Sequence, residues 1–215
     1  MAEYELYCFA QSGNSYRVAL MLNLIGADWK PVFVDAFGKG TQRTPEYRAE
    51  VNEMGEVPVL VHGGKKLSQS GVILTYLANA SGKFKPRNDA EHLEAMRWII
   101  FDNQKVNGFL GLYRFLYFVS GTKGDPAVLE FLKGRALGAL QIVEKRLEKH
   151  AFILGDQPTI ADLSLVAYLY YPKEEFGFDI AADYKNIGAW LDRIRALPGF
   201  ALPYDLMPGH PLPGR

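Results

Sequence analysis

The sequence predicts two domains of different class: a small α/β domain over residues 1–80, of order β-α-β-α-β-β-α, and an all-helical domain over residues 89–215. Three observations carry this. Short apolar or aromatic runs separated by turn residues fill the first eighty positions, as expected of strands alternating with short helices. From Asp89 onward the apolar spacing is helical and strand-like runs disappear. Between the two lies a linker over residues 81–88, where Gly82, Pro86 and Asn88 break any regular element.

Tyr4-Glu5-Leu6-Tyr7-Cys8-Phe9 is aromatic-rich and reads as the first strand. After the turn Gln11-Ser12-Gly13-Asn14, the stretch Tyr16 to Ile25 puts Val18, Met21, Leu22 and Ile25 at helical spacing. It stops at Gly26, which tolerates the left-handed backbone of a helix end. Lys30 to Val34 is the second strand, so a right-handed crossover is expected. Residues 38–50 are polar, with one helical turn after Pro45. Val57-Pro58 opens the third strand, Gly63-Gly64 turns a hairpin into the fourth, and a helix runs from Ser70 to Ala80. In the second domain Ala90 to Val119 reads as one long helix, with Gly108 and Gly111 as bend points. Asp125-Pro126 opens another to about Lys149, with proline at the first position, where no N–H is needed. Thr159 and Asp162 have the spacing of a capping box, heading a helix that runs to Tyr171. A last helix covers roughly Asn186 to Ala196. The tail holds Pro203, Pro208, Pro211 and Pro213 and is expected to be non-helical.

Composition narrows the function. With 48% hydrophobic and 22% charged residues the chain has the make-up of a soluble globular protein. Lys+Arg and Asp+Glu both number 24, so no long-range field favours nucleic acid or an anionic membrane. The apolar runs are too short to span a bilayer, and the first residues are unlike a signal peptide. One cysteine, Cys8, permits no internal disulfide and no thiolate cluster. His62, His92, His150 and His210 show no ligand spacing, so no metal is expected. A cytoplasmic protein follows.

The most informative stretch is Asn52 to Val61, closed by Leu67-Ser68-Gln69-Ser70. Proline supplies no N–H, so Pro58 begins a strand rather than sitting within a ladder. Its bond to Val57 is of the one kind that adopts the cis form cheaply, and such a turn would offer the Val57 N–H and C=O to an extended peptide laid alongside. Gln69 and Ser70 sit where a helix starts, and a helix start presents unpaired N–H groups and a positive dipole to a carboxylate. A backbone docking edge beside a carboxylate socket describes a small-peptide site.

In this order and spacing, the Val-Pro strand start, the Gln-Ser helix start and the Thr159-Ile160-Ala161-Asp162 box resemble the cytosolic glutathione transferases over essentially the whole chain. Gln11-Ser12-Gly13-Asn14-Ser15-Tyr16-Arg17-Val18 is most similar to the zeta and related serine-type classes, and Lys39-Gly40, Arg43-Thr44-Pro45-Glu46 and Asn52 to many bacterial members. The resemblance implies a thioredoxin-like first domain, glutathione as co-substrate, a homodimer, and an apolar electrophile as acceptor. It implies that Val57 pairs with the cysteinyl backbone beside Pro58, that Gln69 and Ser70 hold the γ-glutamyl head, and that Arg43 holds the glycyl carboxylate.

The implied chemistry is thiol activation. A free thiol of pKa ~8.5 is mostly protonated at neutral pH, and only the thiolate is a strong nucleophile. A hydroxyl that donates to sulfur at a positive helix end stabilises the charged form. Ser12 matches the serine of the family turn, with Ser15 and Asn14 in reserve. Zeta-type isomerases carry a cysteine where this chain has Asn14, which argues against isomerase or dehalogenase chemistry. A glutathione-dependent disulfide reductase would have to take both thiols from glutathione, and a non-catalytic assembly protein of the same fold is the remaining alternative. Cys8, within a strand and on one face with Leu6, reads as inert core. By resemblance Asp102 and Asn103 reach glutathione on the neighbouring subunit. Asn107, Tyr113, Tyr117 and Phe118 are the candidate acceptor-pocket residues; Thr159 and Asp162 are structural.

Overall fold

Four strands and three helices build the first part of the chain in the computed structural model, which describes residues 2–122 and 124–212. The order is β1 (Tyr4–Cys8), α1 (Gly13–Ile25), β2 (Trp29–Phe33), α2 (Pro45–Glu50), β3 (Val59–His62), β4 (Lys65–Ser68) and α3 (Ser70–Ser81). The sheet runs β2-β1-β3-β4, with β1 and β2 parallel and β3 antiparallel to both β1 and β4. This is the predicted βαβαββα arrangement.

Local chemistry explains each part. In β1 the buried positions alternate, with Tyr4, Leu6 and Cys8 inward. Helix α1 is buried on almost every side, from Tyr16 to Leu22, which is why its apolar residues form a near-continuous run instead of one stripe. It ends at Gly26 in the left-handed region. Gly63 (φ 54°) and Gly64 (φ 78°) both take positive φ, as a two-residue type I′ hairpin turn demands. The Val57–Pro58 bond is cis.

The chain divides into two compact units. The first comprises the residues up to Lys83 together with Pro198–Pro211; the second is essentially Phe84–Leu197. The tail thus belongs with the first unit, a departure from the expected span 89–215. It is also partly helical: α10 (Pro203–Leu206) is one turn, with Pro203 at the first position, where its missing N–H costs nothing. The expectation for Pro213 lies outside the described residues.

The second unit contains α4 (Asp89–Phe101), α5 (Asn107–Arg114), α6 (Pro126–Leu147), α7 (Ile160–Leu165), α8 (Ile180–Asp183) and α9 (Lys185–Arg195). The expected helix over 90–119 is not uniform. Single π-helical turns at Asp102–Val106 and Phe115–Val119 interrupt it, so the irregularities are not the glycines themselves. Gly111 serves a different end: a Cβ there would lie 2.6 Å from the Tyr168 ring, so only glycine admits that approach. Helix α7 is shorter than expected; a 3₁₀ turn at Val166–Tyr168 replaces its second half. The capping box is present, and Asp162 is wholly buried.

Candidate active site

Helix α1 begins at the turn that follows β1, and its N-cap is Ser12. The Ser12 hydroxyl accepts the Ser15 N–H at 3.2 Å. Accepting occupies an oxygen lone pair and leaves the O–H proton for another acceptor. Ser12 is 8% exposed, at the surface of a cleft of about 430 Å³ that Asn14, Arg43, Arg48, Glu56 and Val57 also line. Ser15 is wholly buried, which puts its hydroxyl out of a solute's reach and corrects its standing as a reserve donor.

Asn14 joins the two helix starts singled out in the sequence. Its Oδ1 accepts from the Ser70 hydroxyl at 3.3 Å and from the Arg17 guanidinium. The serine turn and the Gln-Ser pair are therefore one site. With Oδ1 engaged by these donors, the group Asn14 can turn towards an anion is its amide N–H. Arg17 is wholly buried beneath the turn. A buried cation next to a helix N-terminus favours a negative charge nearby, by the same physics that lowers a thiol pKa. Sequence reasoning used Arg17 only to align the motif. The missed signal was a lone cation inside a helix whose neighbours Tyr16, Val18, Ala19 and Leu20 are all core residues.

Gln69 is the N-cap of α3 and Ser70 its first residue. Gln69 holds φ 64° and ψ 107°, a region that side-chain-bearing residues rarely occupy. Its Nε2 donates to Glu56 Oε2 at 3.0 Å and to the Met54 sulfur at 3.2 Å. The backbone of Glu56 is fixed in turn: its carbonyl accepts from the Tyr47 hydroxyl (3.1 Å) and from Asn52 Nδ2 (3.0 Å). Val57 follows, its backbone N–H and C=O without a hydrogen-bond partner among the described residues, as a docking edge requires. Pro58 is buried behind it. Arg43 is exposed at the end of a 3₁₀ turn, Thr41–Arg43, and faces the same cleft.

Other expected residues lie elsewhere. Asp102 is 0% exposed and accepts the Ser164 hydroxyl at 2.7 Å, so its carboxylate is part of the interior and does not reach out to a ligand; Asn103 beside it is exposed. Asn107 and Tyr113 are also buried, and the Tyr113 hydroxyl donates to the Phe176 carbonyl at 2.8 Å. Tyr117, 40% exposed, stacks on Tyr113 at 5.4 Å and 14°, while Phe118 is half-buried. None of these four lines the cavity of about 260 Å³ that Phe101, Phe109, Arg135 and Ile142 border in the second unit. Cys8 is wholly buried, and burial pushes its thiol up to about 12, so it is protonated at neutral pH. Among the described residues no group of three or more His, Cys, Asp or Glu could hold a metal, and no helix is long and apolar enough to cross a membrane.

Comparisons to known proteins bear on the family and the fold. Residues 2–79 match the family model "Glutathione S-transferase, N-terminal domain", and residues 112–198 the corresponding C-terminal domain. A maleylacetoacetate isomerase of Rhizobium meliloti (strain 1021) is 33% identical over 84% of this chain and 86% of its own. The crystal structure of a glutathione S-transferase from Pseudomonas fluorescens [Pf-5] superposes with a TM-score of 0.86 at 31% identity, covering 95% of this chain and all of that one. A glutathione transferase from Burkholderia graminis, solved with two glutathione molecules bound per subunit, is 27% identical with a TM-score of 0.77, over 92% of this chain and 85% of its own. On these matches the chain belongs to the glutathione S-transferase family.

Proposed function

We propose that the protein binds glutathione in the cleft of its first unit, activates the thiol as thiolate, and transfers it to an apolar electrophile. The observation that carries this reading is the hydrogen-bonded junction of the α1 and α3 N-termini through Asn14 and Ser70, with Ser12 and Val57 on the same cleft. Two helix starts and the buried Arg17 together favour an anion at that point. In this reading Val57 pairs with the cysteinyl backbone, Ser70 and the first N–H groups of α3 take the γ-glutamyl carboxylate, and Arg43 takes the glycyl carboxylate as a bidentate partner. Ser12 donates to sulfur, with Asn14 beside it. The exposed ring of Tyr117 is the acceptor contact retained from the aromatic set. The protein works as a cytoplasmic homodimer in detoxification.

One relative carries the name maleylacetoacetate isomerase, but by the resemblance a zeta-type isomerase has cysteine where this chain has Asn14. A thiol–disulfide exchange reading has a specific support: Cys8 is buried and protonated, so both thiols would come from glutathione, and the Burkholderia relative binds two molecules per subunit. The deciding experiment is a glutathione titration followed by thiolate absorbance in the ultraviolet between about pH 5 and 9, a window bracketing the free thiol at ~8.5. A bound thiol that ionises at least one unit below the free one is the expected result. Binding with an unshifted titration would remove thiol activation from the account, and no binding would remove the enzyme.

A further inference from the structure

Glutathione presents three charged groups besides its thiol: two carboxylates and the α-ammonium of the γ-glutamyl head. In the reading above the carboxylates take Arg43, which lines the cleft, and the α3 N-terminus, joined to the cleft residue Asn14 through Ser70. The ammonium calls for an anionic acceptor, because charge-assisted hydrogen bonds are about twice as strong as neutral ones. Of the charged residues lining the cleft, Arg43 and Arg48 are cations and Glu56 is the acid.

Glu56 is also built into place. Its backbone carbonyl takes hydrogen bonds from Tyr47 and Asn52, both buried side chains, and Asn52 Oδ1 accepts the Met54 N–H at 3.2 Å. The carboxylate reaches α3 through the 3.0 Å bond from Gln69 Nε2. That bond ties down the one residue of the helix start whose backbone lies at φ 64°, ψ 107°. A carboxylate offers about four lone-pair positions, and Gln69 takes one. Through Gln69, the N-cap of α3, the acid is linked to the helix start that in this reading receives a ligand carboxylate. A carboxylate and an ammonium on one carbon fit donors and an acid linked in this way.

We propose that Glu56 is the counter-ion of the ligand's α-ammonium group and makes the cleft select a γ-glutamyl thiol over its deaminated counterpart. This rests on the glutathione reading above. Without Glu56 the lining charges are cationic, and a simple dicarboxylate peptide would suit the cleft as well as glutathione does.

The test is calorimetric titration of the wild-type protein and Glu56→Gln with two ligands, glutathione and N-glutaryl-cysteinylglycine, which differ by the amine alone. Glutamine has the same shape and still accepts from Gln69 Nε2, so the fold of the helix start is retained. Glu56 is exposed, so glutathione should bind Glu56→Gln roughly two- to fivefold more weakly, the range of a charge pair at an exposed site. The glutaryl peptide should bind both proteins equally. Equal losses for both ligands would assign Glu56 only to holding Gln69, and no loss for either would leave it a surface acid; both results overturn the proposal. In these two cases wild type still binds glutathione, so the underlying reading survives. Failure of wild type to bind glutathione overturns both.

Discussion

A serine at the head of a helix can satisfy a backbone N–H with its oxygen and still donate its proton, and Ser12 is arranged for both. Its oxygen accepts from the Ser15 N–H, while the side chain borders the cleft. The two tasks separate experimentally. Ser12→Ala should cost about 1 kcal/mol of stability through the lost cap. If the hydroxyl also steadies the thiolate, kcat should fall on the order of 10²-fold, as when one preorganised donor is removed, with the glutathione Kd little changed. Ser12→Thr, which keeps a hydroxyl, should recover most of the rate. A stability loss with normal turnover would assign Ser12 to the cap alone and pass the sulfur to Asn14. At this scale the sequence was readable where the signal is local. Ser12, Gln69 and Ser70 sit at helix starts, and helix starts announce themselves within four residues. Glu56 was opaque because its role depends on Gln69, thirteen positions on, whereas Arg17 lies three residues from Asn14 and was marked by the apolar run around it.

Among the elements, α7 shows a local motif doing more than its local task. The spacing of Thr159 and Asp162 was enough to foresee a capping box, and Asp162 Oδ2 does accept the Thr159 N–H at 2.8 Å. Its Oδ1, however, also receives the Ile153 N–H at 2.8 Å and the Trp190 indole N–H at 2.9 Å, which no spacing rule reveals. One wholly buried carboxylate thereby ties the loop before α7, α7 itself and α9 into a single core. Asp162→Asn turns one accepting oxygen into an N–H donor facing N–H donors. We expect a loss of about 3 kcal/mol, typical of orphaned buried hydrogen-bond groups. Thr159→Ala should cost only about 1 kcal/mol, the worth of a cap. Urea midpoints on the two variants check this, and equal losses would mean the carboxylate acts as a cap and nothing more. The helices over 90–119 show the limit of pattern reading in another way. A π-turn inserts one residue and so displaces the apolar stripe by about 100°, but a slip confined to five residues in a largely apolar stretch has no residue-type signature that marks it. So the long helix was legible and its two irregular turns were not.

For the molecule as a whole, the departure that matters is the path of the tail. Composition gave Pro198–Pro211 to the helical domain because it follows that domain in sequence; the folded chain returns it to the first unit. There it supports the turn that carries Ser12. Ala10 N–H donates to the Pro208 carbonyl at 2.7 Å, and the Gln11 amide exchanges a pair of hydrogen bonds with the His210 backbone, at 2.6 and 3.1 Å. The His210 ring lies among Phe9, Phe33 and Phe37, with centroids at 5.8, 5.1 and 4.7 Å, and its Nε2 accepts the Ala36 N–H at 3.2 Å. Contacts nearly two hundred residues apart leave no trace in local spacing, since only burial of the intervening chain brings them together. Ending the chain after Leu206 removes these contacts while sparing α10. At about 1 kcal/mol for each buried hydrogen bond, and with the ring cluster lost as well, the first unit should lose roughly 3–5 kcal/mol. Because the severed groups precede Ser12 directly, the effect should reach the ligand too: the truncated protein should bind glutathione more weakly and ionise its bound thiol closer to the free value. Denaturation with and without glutathione reads the first effect, and the ultraviolet titration reads the second. Unchanged midpoints together with an unchanged titration would reduce the tail to surface covering and leave the Ser12 turn to be held by α1 alone.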